Sequence, residues 1–158
     1  LAPRALWWFR WGAMLTFVTS LYLIYAIGAH NVMLPKSVIW VGALAGTFMF
    51  LNVWLIIWPA QQVVIGLKEG DGPSNAARAM LASRTNTLFS GPMLFGMLAS
   101  VHYNIMASMV GFFTALGLLV ALELNAIFGS LGPLKSIVGV IHCALGLTLI
   151  IWATLTFL

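Results

Sequence analysis

Few side chains in this sequence can do acid, base or ligand chemistry. Its 158 residues include three carboxylates, three histidines and one cysteine: Glu69, Asp71, Glu123, His30, His102, His142 and Cys143. Glu69 and Asp71 share the glycine-rich "GLKEGDGPS", which lacks the ligand count of a calcium loop. A single cysteine excludes an internal disulfide, a Cys-rich metal site and a CxxCH haem attachment. No Walker sequence, GxSxG elbow, HExxH pair or dinucleotide fingerprint occurs. From this inventory the chain is not expected to be catalytic alone.

What remains are polar groups set into apolar runs: Arg10, Asn52, Glu123 and His142. An ion pair between Arg10 and Glu123, with His142 nearby, would make a proton-handling or ligand pocket. The alternative is that Arg10 snorkels to the headgroups and Glu123 reaches the surface or a backbone donor. His30 and His102, flanked by Asn31, Tyr103 and Asn104, could ligate a haem iron or another metal, or serve as amphipathic interface residues. His142, inside an apolar run, could hold a haem or chlorophyll. No second histidine shares its depth, which argues against a bis-histidine haem.

The elements that carry these groups follow from composition. The chain is 62% apolar and 6% charged, where a soluble domain has roughly 25% charged residues. This is the composition of an integral membrane protein. A formal charge of +4 forms no basic stripe for nucleic acid. A bilayer core of about 30 Å needs ~20 apolar residues at 1.5 Å each. Five spans are expected in an all-α helical bundle, near 6–27, 38–59, 88–103, 105–127 and 136–157, as one transmembrane domain. The first run is longer than a signal-peptide core, so it reads as a retained span. The third is short, and an amphipathic entrance helix near 74–87, with Ser74 as N-cap and a bend at Pro92, extends it. Five spans put Arg4, Arg10, Lys68, Arg78, Arg84 and Lys135 on one side and Lys36 on the other. The positive-inside rule then places the N-terminus in and the C-terminus out. Gly42-x-x-x-Gly46 and Ala107-x-x-x-Gly111 read as helix-packing motifs. Trp7, Trp8, Trp11, Trp40, Trp58 and Tyr103 read as an interfacial belt.

The stretch "ARAMLASRTNTLFSGPMLFGMLASVHY" (77–103) gathers polar residues at one end. Gln61, Gln62, Arg84, Thr85 and Asn86 are expected to form a helix-entrance clasp, with Asn86 bonding within Trp58–Gln62; a substrate or quinone-headgroup site is the alternative reading. Together with "GTFMFLNVWLIIWPAQQ" (46–62), this stretch resembles the membrane domain of membrane-bound urate hydroxylases, the PuuD-type urate oxidases. Asn52, Pro59, Gln61, Ser83, Asn86, Pro92, His102 and Tyr103 belong to the shared motifs. In that family a longer membrane domain precedes a cytochrome c domain, whereas the sequence to Leu158 contains no CxxCH. Many members carry a histidine where Thr85 stands, and no catalytic residue can be transferred from the resemblance.

The first functional expectation is a small integral membrane subunit, structural or docking, of a larger respiratory or photosynthetic electron-transfer complex. The resemblance implies an alternative, a membrane-bound urate-oxidising enzyme with a separate cytochrome acceptor. A proton or solute transporter using Arg10, Glu123 and His142 is a third. The expected partners are membrane lipids and other membrane subunits, and the expected location is the bacterial inner membrane.

Overall fold

A computed structural model describes residues 2–28, 37–103 and 105–158. These residues are all-α. Helix α1 covers Ala2–Ala26, α2 Ser37–Leu51, α3 Trp58–Val64, α4 Gly72–His102, α5 Met109–Phe128 and α6 Ile137–Phe157. A six-residue π-helical segment, Asn52–Ile57, joins α2 to α3 without a break. The result is five long helical rods.

Local chemistry explains where the rods stop. Gly28 follows α1 with φ 65°, and Gly66 follows α3 with φ 76°, left-handed conformations that only glycine adopts without strain. Helices α5 and α6 begin at Ser108 and Ser136, whose hydroxyls accept from Gly111 N at 3.0 Å and Gly139 N at 2.9 Å. Each hydroxyl satisfies an amide that a helix start leaves unpaired. The entrance helix differs from expectation: its N-cap is Asp71, not Ser74. Pro73 then falls in the first turn, where its missing N–H costs nothing. Pro92 lies inside α4.

Among the described residues, three segments are long and apolar enough to cross a bilayer: 38–64, 109–128 and 137–157. Helices α1 and α4 are longer still, but arginines, hydroxyls and amides dilute their apolar surface. Hydropathy alone does not mark these two helices as spans.

Small residues set the closest approaches. A Cβ on Gly42 would lie 2.9 Å from the Gly96 Cα, and one on Gly96 would lie 2.6 Å from the Gly42 Cα. Thus the start of α2 crosses the end of α4 backbone to backbone, and the two rods run antiparallel. The same logic brings Gly91 of α4 against Ala144 and Thr148 of α6, and Gly111 of α5 against Thr154. Ser108 Oγ donates to the Leu158 carbonyl at 2.8 Å, tying the start of α5 to the end of α6. Around these crossings Val41, Phe89, Phe112, Leu119 and Ile151 are fully buried. Outside, Leu15, Leu55, Leu94, Phe113, Leu145 and Leu149 are exposed, a rim suited to lipid. Helix α1 adheres through few contacts, among them a Phe17–Phe50 ring stack at 4.3 Å and an edge-on Trp11–Trp54 pair at 5.6 Å.

Candidate functional site

Where three rods meet, the interior turns polar. The π segment starts at Asn52; its wider i to i+5 turn adds a residue and is frequent at functional sites. Asn52 is 1% exposed. Its Nδ2 donates to Asn86 Oδ1 of α4 at 3.0 Å and to Glu123 Oε2 of α5 at 3.1 Å. Asn86 Nδ2 in turn donates to the Met49 carbonyl at 3.0 Å. One chain of amides therefore runs from the α2 backbone to a carboxylate that is only 8% exposed.

The network is unbalanced. Both Nδ2 hydrogens of Asn52 are used, while Asn52 Oδ1 is buried and takes no donor. Glu123 receives a donor at Oε2 alone. A buried carboxylate needs partners to offset lost hydration, and here the protein supplies one side-chain donor. A cavity of about 500 Å³ adjoins the network. Phe48, Leu51, Leu55 and Leu81 wall it, Asn52 and Glu123 lie along it, and Arg78 and Ser130 mark its solvent-facing end.

Arg10 does not take the ion-pair alternative. Its guanidinium sits 4.3 Å from the Trp58 ring centroid, 4.8 Å from Trp54 and 5.5 Å from Trp11. It makes no ion pair with Glu123, whose bond goes to Asn52. Three indole faces attract the cation through their quadrupoles, and tryptophans spaced four apart on one helix face present two of them together.

The other anticipated residues are scattered. Asn86 does not bond within Trp58–Gln62; both its amide bonds go to Met49 and Asn52, deeper along the same rod. Gln61 and Gln62 act through backbone carbonyls that accept from Ile65, Leu67 and Lys68 at the end of α3. Thr85 is 1% exposed and donates to the Leu81 carbonyl of its own helix at 3.1 Å. Arg84 is half-buried beside it. His142 is exposed on α6, with Nδ1 2.8 Å from the Val138 carbonyl. It is not part of the polar network. His102 is exposed at the end of α4, the opposite end of the bundle from His142. His30, with Asn31 and Asn104, lies outside the described residues. Among the described residues no three histidine, cysteine or carboxylate side chains cluster. Sequence reasoning missed the π segment and gave Arg78 only an orienting role. It also overlooked Trp54, although the four-residue spacing to Trp58 was a usable signal.

A bundle of long apolar helices around a buried amide and carboxylate network, open to a cavity, defines a multi-pass membrane protein with an interior polar site. Residues 28–128 match the family described as urate oxidase N-terminal. The chain belongs to this family, the membrane domain of PuuD-type urate hydroxylases. The matched stretch holds Asn52, Arg78, Asn86 and Glu123, while α1 and α6 lie outside it. No curated protein and no solved structure matches the chain.

Proposed function

We propose that this chain is the membrane module of a urate-oxidising system that hands electrons to a cytochrome. The observation that carries the reading is that the family match covers every residue of the buried network and most of the cavity lining, all but Gly129, Ser130 and Leu131. A subunit with only a docking role has no need of an unbalanced polar site beside a half-open cavity, which favours oxidation chemistry over the accessory-subunit expectation. We place the module in a bacterial inner membrane with α1 starting on the cytoplasmic side. Six of the seven cations then face the cytoplasm, as the positive-inside rule requires.

The test is urate-dependent reduction of added ferricytochrome c by membranes from cells expressing the chain. Reduction above that of membranes without it is expected. Equal rates in the two preparations would overturn the proposal.

A further inference from the structure

We infer that the cavity beside Glu123 is the urate subsite, in which Glu123 accepts ring N–H groups of the ligand and Arg78 faces its negative charge. This rests on the urate reading above and adds where and how the ligand is recognised.

The argument is a donor and acceptor count. Asn52 spends both amide hydrogens on Asn86 and Glu123, and Asn86 spends one of its two on the Met49 carbonyl. What the network leaves toward the cavity is acceptor capacity, the second oxygen of Glu123, while Asn52 Oδ1 is buried beyond a ligand's reach. A complementary ligand must bring donors. Urate is a flat bicyclic ring system with N–H groups along its edges and a delocalised negative charge. An oxidised quinone offers only acceptors and would leave the free Glu123 oxygen unpaired.

The remaining features fit the same ligand. The cavity, about 500 Å³, falls in the range of small-molecule sites. Its Phe48, Leu51, Leu55 and Leu81 walls suit the faces of a ring system. Arg78, exposed at the open end, suits a water-soluble anion entering from the aqueous side. Asn52 also fixes Glu123 in place and Asn86 fixes Asn52, so Asn86 is a positioning residue.

The test is equilibrium binding of urate and its N-methylated derivatives to the detergent-purified chain, with thermal melting as a fold check. Wild-type protein should bind urate more tightly than derivatives methylated at the contacted nitrogens. Glu123→Gln should weaken urate binding by about tenfold or more, the scale of one lost charge-assisted hydrogen bond, and should flatten that discrimination. Arg78→Gln, at an exposed position, should weaken urate binding without lowering the melting temperature, and it carries the test if Glu123→Gln does not fold. Wild-type protein that binds no urate, or variants that bind and discriminate like wild type, would overturn the subsite. If membranes still reduce cytochrome with urate in that case, the urate reading survives and the site lies elsewhere. Binding with the predicted losses but no urate-dependent reduction would keep the subsite and remove the oxidising role. A quinol analogue binding the cavity more tightly than urate would also overturn it.

Discussion

Asn52 is the residue on which the polar network turns, because one amide group holds both a buried carboxylate and a second amide. Replacing it with the similarly sized Leu removes the only side-chain donor to Glu123 among the described residues and leaves Asn86 Oδ1 without its Asn52 partner. The expected cost is about 1–3 kcal/mol for each buried group left unsatisfied. Melting in detergent should show it, and in a double-mutant cycle Glu123→Leu should cost markedly less in the Asn52→Leu background than in wild type. Additive losses would mean that the two residues do not interact. At this scale the sequence was partly legible. Counting 1.5 Å per residue put Asn52 and Glu123 in one layer, and they do bond. The same counting put His142 there, but it fixes depth only, and the α6 face that carries His142 points outward. Asn86 was placed too near the surface because the third span was taken to begin just beyond it. With α4 starting at Gly72, Asn86 lies roughly 20 Å along the helix, far enough to reach the middle of the neighbouring rod.

Among the elements, the α2 to α4 crossing is the most exacting contact. Adding a side chain at Gly42 or Gly96 puts its Cβ within 3.0 Å of the facing Cα, and backbone cannot yield as a flexible side chain can. Gly96→Val should therefore lower the melting temperature or the folded yield sharply. Gly117→Ala on α5, with nothing within 4 Å of its would-be Cβ, should leave both unchanged or slightly improved, since alanine favours helix over glycine. Similar behaviour of the two variants would show that the crossing is looser than described. The Gly42 spacing was readable as a packing motif, but its partner was not, because small residues also recur at Gly91 and Gly111. The π segment left no readable trace: "NVWLII" carries neither proline nor glycine, and its extra residue serves tertiary packing rather than local propensity.

For the whole molecule, charge and hydropathy supply different information. Hydropathy singles out three segments among the described residues; charge asymmetry is the ground for proposing five crossings, because six cations share one side only if α1 and α4 also cross. That topology is testable with Cys143 replaced by Ser. A cysteine at Glu69, in the exposed loop between α3 and α4, should react with an impermeant thiol reagent only from the cytoplasmic face. One at Leu158 should react only from outside. Labelling of both from the same face would contradict the five-crossing arrangement.

The account stands or falls on whether urate chemistry depends on the buried network. The most direct measurement compares urate-dependent ferricytochrome c reduction by membranes carrying the wild-type chain with that by membranes carrying folded Glu123→Gln at equal abundance. The account predicts clear activity for the wild type, and a rise in the urate concentration needed for half-maximal rate of about tenfold or more in the variant. No urate-dependent reduction by the wild type, or identical urate dependence in the two, would contradict it.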